Sequence, residues 1–356
     1  MPTPKLITDL DQVTPAWLTE VLHEKGCLPQ GQVSAVYKEP NLSTGSAIVP
    51  LKLCYSDDAP PSAPTRLFLK FPGPQSLSNG KKEVQFYTEI AGGVADLPVV
   101  RCYDAVYSEE ADRFHLLLED LSQTHISHPP SVLPPSKAQA EQIVDALACL
   151  HASWWDHPRL GRDIGPLPTE VSLTEDMAWA GRALASFVDF TGDRLSDTRR
   201  KVYESVLASF LPVQLKRLVN GNHLTLIHGD SHIGNFLYPR NPDKNTLRII
   251  DWKSWRIAIG ASDMAHMMAV FWFPERRVQL EQELLKRYYD HLLERDVKAY
   301  TWEVCWYDYR FAVIDHLSYP IWQWSTNHIP DLIWWHHMER LMFAFQDLEC
   351  AELLEG

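Results

Sequence analysis

A stretch dense in proline and serine, Ser122–Ser136 (SQTHISHPPSVLPPS), divides this sequence into two parts of different character. Before it, short runs rich in β-branched and aromatic residues alternate with turn residues, a pattern typical of strands. After it, apolar residues recur at the three- and four-residue spacing of amphipathic helices. Proline and serine at this density favour neither element, so the stretch is a connector. The sequence therefore predicts an α+β fold in two lobes, a β-rich lobe over 1–121 and a mainly helical lobe over 137–356, joined by residues 122–136.

Local patterns on either side of the connector predict the individual elements. Strands are expected in the first lobe at Ala47–Tyr55, Arg66–Phe71, Val99–Tyr107 and Phe114–Leu118. A helix is expected over Lys81–Ile90, where apolar side chains recur at helical spacing. In the second lobe, Asn235–Tyr238 and Leu247–Ile250 flank the turn-forming segment PRNPDKNT. These two runs are therefore predicted to pair as a β-hairpin.

The charge of the chain narrows the classes of partner. Its 356 residues include 33 Lys and Arg against 46 Asp and Glu, a formal net charge of −13. Nucleic acids and anionic membrane surfaces select for surplus positive charge, so neither is an expected partner. The first residues lack the apolar core of a secretory signal, and no run approaches the roughly 18–20 apolar residues of a membrane helix. With six isolated cysteines, the sequence favours a cytoplasmic protein and leaves its oligomeric state open.

The strongest chemical signature lies in His228–Trp252 (HGDSHIGNFLYPRNPDKNTLRIIDW). Asp230 follows a short apolar strand, Asn235 begins the predicted hairpin and Asp251 ends it. Because the free ends of a hairpin lie side by side, Asn235 and Asp251 are expected to be neighbours, and their hard oxygen atoms suit Mg²⁺. Asp230 is then placed to accept a proton from a hydroxyl while the metal holds phosphate oxygens. Each Asp alone would be an ordinary turn residue, but the combination predicts phosphoryl-transfer chemistry.

This segment resembles the catalytic core of the aminoglycoside phosphotransferase and choline kinase-like superfamily, which has a protein-kinase-like fold. It contains the superfamily's H-G-D-x-x-x-x-N loop and I-D-W metal motif, and LACLHASWWDHP resembles the ecdysteroid kinase-like branch and its bacterial relatives. The resemblance implies transfer of the γ-phosphate of ATP to a hydroxyl of a small molecule. In that reaction Asp230 is the catalytic residue, and Asn235 and Asp251 hold Mg²⁺. Asp263 would brace the loop, and Lys253 departs from the acid that many relatives carry there.

The resemblance also implies a nucleotide clamp in the first lobe. Lys70 lies within a predicted strand, where burial of an ammonium is costly unless it meets an anion. Glu83, near the start of the predicted helix, would orient this lysine toward the α- and β-phosphates. Taken alone, the two residues are better explained as a lysine at a strand edge and a solvated acid, and it is their order upstream of Asp230, Asn235 and Asp251 that favours the clamp.

Two further stretches are implied to bind the nucleotide through their backbone. The segment around Glu119 and Leu121 resembles the hinge whose N–H and C=O groups bind the adenine edge. The small residues Ser43, Thr44 and Gly45 would let backbone N–H groups approach the phosphates. That loop has one glycine, fewer than the superfamily pattern leads one to expect.

The acceptor site is expected in region 301–336, because the superfamily builds this site from C-terminal helices. The region holds six of the thirteen tryptophans, with carboxylates between them. The candidate substrate contacts are Trp306, Asp308, Asp315 and Trp324. Aromatic rings and carboxylates suit a bulky apolar alcohol, a sugar ring or an ammonium group, although each tryptophan alone would simply fill space between helices. An aminoglycoside, an amino-alcohol and a bulky apolar alcohol all stay open as acceptors.

Two other functions fit parts of the same segment. His228, Asp230 and His232 spell H-x-D-x-H, a pattern found in metal-dependent hydrolases, with Asp251 and His266 as further ligands. A catalytically silent pseudokinase that binds nucleotide without turnover is the second alternative. Loss of nucleotide binding when the strand lysine is replaced would oppose the hydrolase, and measurable phosphoryl transfer would exclude the pseudokinase.

Overall fold

The chain divides into two units in a computed structural model that describes residues 5–39, 41–42, 46–72, 80–93, 97–128, 133–219 and 222–355. The first unit comprises Met1–Ile126 and Leu237–Ser254, and the second comprises Ser127–Phe236 and Trp255–Gly356. The expected α+β class, with a β-rich N-terminal part and a helical C-terminal part, is confirmed. Most of the hairpin segment, which the sequence analysis counted with the helical lobe, groups with the β-rich unit.

An antiparallel sheet forms the framework of the first unit. Numbered in chain order, its strands are β1 (Val33–Lys38), β2 (Asn41–Leu42), β3 (Ser46–Tyr55), β4 (Arg66–Pro72), β5 (Cys102–Ser108) and β6 (Arg113–Glu119). They lie in the order β1-β3-β4-β6-β5, with β2 paired to β3, so β4 is central. The strand predicted from Val99 begins only at Cys102, because Val99 forms a bridge to Ile249 instead.

Two helices cover this sheet, α1 (Pro15–Glu24) and α2 (Gly80–Gln85), and α2 continues through one wider turn over Phe86–Ile90. Leu67 and Leu69 of β4 share a core with the apolar face of α1. Because side chains alternate along a strand, Lys70 belongs to the opposite face. There it meets α2, which packs against β5 and β6.

Gly80 begins α2 at a close approach to β6. A Cβ atom at this position would lie 1.9 Å from Cδ1 of Phe114. We expect Gly80→Ala to lower the free energy of unfolding by about 1–3 kcal/mol, because overpacking pushes the helix off the strand. Urea denaturation measures the effect, with Gly92→Ala as the matched control, since nothing lies within 4 Å of a Cβ there. Equal stability of the Gly80→Ala variant and the wild type would contradict this packing.

The first unit also contains a small sheet built around the predicted hairpin. Its strands are β7 (His125–Ile126), β9 (Phe236–Pro239) and β10 (Arg248–Ile249), in the order β10-β9-β7. The pairing of β9 with β10 confirms the hairpin, and each strand bound differs from the predicted one by one residue. The connection between them includes Thr246, whose carbonyl lies 2.9 Å from Nε2 of His125.

Helices dominate the second unit. They are α3 (Lys137–Ser153), α4 (Glu170–Thr191), α5 (Asp197–Gln214), α6 (Ala261–Ala265), α7 (Pro274–Glu294), α8 (Trp302–Asp315), α9 (Ser318–Ser325) and α10 (Asp331–Asp347). Two short strands, β8 (Thr225–Ile227) and β11 (Arg256–Ala258), pair antiparallel. Helix α3 packs along α7, and α6 packs on α8. No helix in the described part of the chain has both the length and the apolar character needed to span a bilayer.

Candidate active site

Lys70 is the centre of a charged cluster in the first unit. Its Nζ lies 2.8 Å from both carboxylate oxygens of Glu83 and 2.9 Å from Oδ1 of Asp251. Oδ2 of Asp251 in turn lies 2.8 Å from Nζ of Lys253. The structure therefore brings together three residues predicted from the sequence: Lys70 on β4, Glu83 on α2 and Asp251 after the hairpin.

Aromatic packing positions Asp251 in this cluster. The ring of Trp252 stacks on that of Phe86, with centroids 3.6 Å apart and planes 6° from parallel. Since Phe86 continues α2, this contact ties the end of the hairpin to the helix that carries Glu83. Asp251 adopts a left-handed backbone conformation, with φ of +66°. Aspartate is among the few side chains that tolerate this conformation well.

Opposite charges keep Lys70 and Asp251 ionised within the cluster. Burial alone would lower the pKa of Lys70, but Glu83 and Asp251 raise it above its ordinary value. Burial alone would raise the pKa of Asp251, but Lys70 and Lys253 lower it below its ordinary value. Both groups are therefore ionised at neutral pH, so the cluster presents an ammonium and a carboxylate that are already oriented.

In the second unit, the carboxylate of Asp263 shapes the loop that follows β8. It accepts hydrogen bonds from the backbone N–H of His228, at 2.7 Å, and of Gly229, at 2.8 Å. Nε2 of His151 lies 3.2 Å from the same carboxylate, and Nδ1 lies 2.8 Å from the hydroxyl of Tyr288. An ionised carboxylate only accepts, so Nε2 carries the proton and Nδ1 accepts from tyrosine.

This network keeps Asp263 ionised although it is 0% exposed. Burial alone would raise its pKa, but His151, His228 and the N–H of Gly229 lower it to about 2. Asp263 thus has the bracing position that the resemblance implied, at the base of the loop rather than among groups that would meet a substrate.

Within the loop, Asn235 closes the turn onto Asp230. Its side-chain Nδ2 donates to the backbone carbonyl of Asp230 at 2.7 Å, and its own N–H donates to the carbonyl of His232 at 2.9 Å. The amide nitrogen is therefore used inside the loop, which leaves the amide oxygen as the ligand atom of this side chain. The turn is held through the backbone carbonyl of Asp230. The side-chain carboxylate of Asp230 takes no part in this bond and stays available for a reaction.

Comparisons with known proteins assign this chain to a family. Residues 58–300, more than half of the chain, match the model of a family described as the phosphotransferase enzyme family. The chain belongs to this phosphotransferase family. A comparison with curated protein sequences gives no match.

Among solved structures, a choline/ethanolamine kinase family protein from Mesorhizobium loti is 12% identical, with a TM-score of 0.55. The alignment covers 90% of this chain and 93% of that one. The GDP complex of a wild-type aminoglycoside 2'-phosphotransferase-IIIa is 14% identical, with a TM-score of 0.47, over 94% of this chain and 99% of that one. The similarity to the choline/ethanolamine kinase family protein shows that this phosphotransferase has a kinase-like fold.

The backbone candidates for the nucleotide are only partly described. Ser43, Thr44 and Gly45 lie outside the described residues. Glu119 ends β6, and its N–H donates to the carbonyl of Arg101 at 2.9 Å. The carbonyl of Leu121 accepts from the N–H of His125 at 2.8 Å. Both residues are therefore ordered at the end of the sheet, and adenine binding there stays a prediction.

The two acidic acceptor candidates have structural partners. Asp308 is 0% exposed, and its two oxygens each lie 2.6 Å from a nitrogen of Arg217, with the hydroxyl of Tyr300 at 3.0 Å. A buried carboxylate with this set of partners is part of the core between helices and is not placed to meet a substrate. Asp315 is half-buried and accepts from Nε2 of Gln214 at 2.9 Å.

The two aromatic acceptor candidates pack within the helical unit. Trp324 lies against α4, with ring centroids 5.4 Å from Phe187 and 5.5 Å from Phe190. Trp306 lies along α8, 6.1 Å from Trp302. Both tryptophans pack against other aromatic rings, as expected for side chains that fill space between helices.

The side chains around Asp230 were not identified from the sequence as part of a phosphotransferase site. Its Oδ2 lies 3.8 Å from Nε2 of His232, and its Oδ1 lies 4.0 Å from Nε2 of His266. Burial raises the pKa of the Tyr319 hydroxyl above its ordinary value, and the nearby charge of Asp230 raises it further. The sequence analysis named His266 only as a possible hydrolase ligand. Its position three residues after Asp263, and so on the same side of a helix, is the signal that was overlooked.

The hydrolase alternative is not supported by these side chains. In the described ranges, no group of three or more His, Cys, Asp or Glu residues is arranged to hold a metal ion. Nδ1 of His228 lies 3.3 Å from the backbone nitrogen of Asp230, so this histidine belongs to the interior of the loop. The H-x-D-x-H spelling therefore does not correspond to a metal triad.

The donor atoms of Asn235 and Asp251 nevertheless fit Mg²⁺. The first offers an amide oxygen and the second an ionised carboxylate, both hard ligands of the kind that Mg²⁺ takes together with phosphate oxygens. A metal at Asp251 would compete with Lys253, whose side chain is 45% exposed. Asn235 belongs to the second unit and Asp251 to the first, so a shared metal stays a prediction.

Proposed function

We propose that this chain catalyses ATP- and Mg²⁺-dependent transfer of the γ-phosphate to a hydroxyl of a small molecule. The observation that carries the proposal is the cluster in which Lys70 contacts Glu83 and Asp251 at 2.8 and 2.9 Å. Phosphoryl transfer in kinase-like folds depends on such a lysine, oriented by an acid and adjacent to a metal-binding aspartate. Membership of the phosphotransferase family supports the same reaction class.

In the proposed reaction, the acceptor oxygen forms a bond to the γ-phosphorus while the bond to the β,γ-bridging oxygen breaks. The bridging oxygen keeps the electron pair and leaves as part of ADP, and the hydroxyl proton passes to the carboxylate of Asp230. Lys70 would neutralise charge on the phosphates, because its ammonium is already oriented. Mg²⁺ bound through Asn235 and Asp251 would supply further neutralisation of the phosphates. Catalysis would then rest on positioning and charge rather than on a covalent intermediate.

The nucleotide half of this proposal is tested by thermal unfolding with ATP, with and without Mg²⁺. A ligand at about 100 times its Kd stabilises the folded state by about 2.7 kcal/mol, which appears as a rise of a few degrees in Tm. We expect an ATP-dependent rise that is larger with Mg²⁺ in the wild type. Asp251→Ala should remove the Mg²⁺ dependence, since it removes the carboxylate ligand.

Lys253→Ala is the matched control, because it alters the same cluster without removing a ligand. Since Nζ of Lys253 lies on Oδ2 of Asp251, its loss should let Mg²⁺ act at a lower concentration. A wild-type Tm that does not respond to ATP would contradict the nucleotide site. An Asp251→Ala variant that keeps its Mg²⁺ response would contradict the metal assignment.

A further inference from the structure

His266 is a buried polar side chain of the second unit whose ring makes no hydrogen bond to the part of the chain that the structure describes. It is 3% exposed, and within the described residues neither of its ring nitrogens has a hydrogen-bond partner. Other buried histidines are bonded: His151 to Tyr288 and Asp263, His316 to the carbonyl of Ala312. Buried polar groups without partners are rare in native proteins, and each calls for an explanation such as a bound ligand.

The unbonded ring lies beside the catalytic candidate. Nε2 of His266 is 4.0 Å from Oδ1 of Asp230. This distance is too long for a direct hydrogen bond. It is short enough for one oxygen atom to lie about 2.8 Å from both groups at once. The pair therefore has the spacing of two groups that share one ligand atom.

The surroundings of His266 are aromatic. Its ring centroid lies 5.2 Å from that of Phe271, 5.2 Å from that of Tyr319 and 5.5 Å from that of His316. Phe271 also packs against His232 and His337, with ring centroids 5.3 and 4.6 Å apart. Rings at these distances offer flat apolar faces to a ligand that itself carries a ring.

The charge near His266 is not that of a site for polycations. Burial lowers the pKa of His266 well below its ordinary value, and His316, His232, His337 and Arg256 lower it further. The imidazole is therefore neutral at pH 7, with one nitrogen that donates and one that accepts. Asp230 lies beside it, and the positive charge of Arg256 is near enough to act on the imidazole, which disfavours a polyamine as the ligand.

Building on the proposed function, we propose that His266 binds the acceptor hydroxyl opposite Asp230 and that the acceptor is an uncharged alcohol carrying a ring. The hydroxyl donates its hydrogen to Asp230 and accepts one from Nε2 of His266. One lone pair of the oxygen then stays available to attack the γ-phosphorus, and the ring of the acceptor packs against Phe271 and Tyr319.

Binding can be measured directly by NMR on protein labelled with ¹³C in its histidine rings. The probes are 2-phenylethanol, a neutral alcohol with a ring, and 1,3-diamino-2-propanol, an alcohol with two cationic groups. The His266 signal is identified by its loss in His266→Phe. We expect that signal to move saturably with 2-phenylethanol and not with the diamine. A signal unmoved by 2-phenylethanol, or moved only by the diamine, overturns the inference.

Kinetics separates this inference from the proposed function. For an alcohol that the wild type phosphorylates, His266→Phe should lower kcat/KM about 10- to 100-fold, the effect of one lost hydrogen bond to a reacting group. His266→Gln, which restores a donor, should recover part of the loss, and the response of Tm to ATP should not change. His336→Phe, which replaces an exposed histidine of α10 outside the set of rings around His266, is the matched control and should leave kcat/KM near the wild-type value.

The outcomes are distinct. Transfer that depends on Asp230 but is indifferent to His266 overturns the inference and leaves the proposed function intact. A His266 signal that moves with 2-phenylethanol in a protein that transfers phosphate to no alcohol supports the binding site and contradicts the phosphotransfer.

Discussion

Asp230→Asn is expected to lower kcat for phosphoryl transfer by about 10³-fold while leaving nucleotide binding unchanged. The substitution keeps the shape of the side chain but removes the charge and the atom that takes the hydroxyl proton, and general-base contributions of about 10²–10⁴-fold are typical. The loop should keep its conformation, because Asn235 bonds the backbone carbonyl of residue 230 and not its side chain. ADP release in the presence of an acceptor alcohol measures kcat, and the ATP-dependent rise in Tm measures nucleotide binding.

Asp243→Asn is the matched control for the charge change. Asp243 is exposed in the turn between β9 and β10, so this substitution should alter neither kcat nor Tm. An Asp230→Asn enzyme with near-normal turnover would remove Asp230 from the reaction. A fall in nucleotide binding that parallels the fall in kcat would point instead to a disturbed fold.

The parts of the site that were predictable from sequence are those that local pattern determines. The turn-forming segment between two apolar runs specified a hairpin, and β9 and β10 do pair. Lys70 and Glu83 are 13 positions apart on a strand and a helix, and the alternation along β4 places the lysine on the helix side. The hairpin follows from local turn chemistry, and the position of Lys70 follows from strand alternation together with the cost of burying an unpaired charge.

The parts that were not predictable depend on contacts between distant positions. Asp308 looked like a substrate contact among tryptophans, but Arg217, 91 positions earlier, forms a double hydrogen bond with it. Nothing in the local sequence of either residue specifies the other. The hairpin groups with the first unit because Trp252 stacks on Phe86 and Val99 pairs with Ile249, two contacts that spacing along the chain does not reveal.

His266 shows a related difficulty. Histidine in an apolar helix most often bonds a neighbour, as His151 and His316 do. That its ring has no partner among the described residues is a property of the packed structure and not of the sequence. Sequence patterns identify residues with a charge or a motif, whereas an unsatisfied neutral group becomes visible only when its surroundings are known.

Asp263→Asn is expected to destabilise the second unit and to slow transfer together. Its carboxylate, which is buried, accepts from the N–H groups of His228 and Gly229 and from His151. An amide offers one acceptor oxygen and turns an NH₂ toward a donor that then has no partner. We expect a loss of about 3 kcal/mol in the free energy of unfolding, measured by urea denaturation at pH 7. We expect kcat to fall about 100-fold under conditions where the protein is folded, because a loosened loop misplaces Asp230.

Ser231→Ala separates the carboxylate from the rest of this contact. The hydroxyl of Ser231 donates to the backbone carbonyl of Asp263 at 2.7 Å, so its loss removes one neutral hydrogen bond, about 1 kcal/mol, and keeps the carboxylate. The same carboxylate makes the stability of the fold depend on pH. The pKa of Asp263 is about 2, against an ordinary value of 3.8. The carboxylate therefore stabilises the fold above about pH 4, and this contribution is lost as the pH falls toward 2. The stability gap between the wild type and Asp263→Asn should thus be constant from pH 5 to pH 8 and narrow only below pH 4. A gap no larger than that of Ser231→Ala would mean that the carboxylate does not brace the loop.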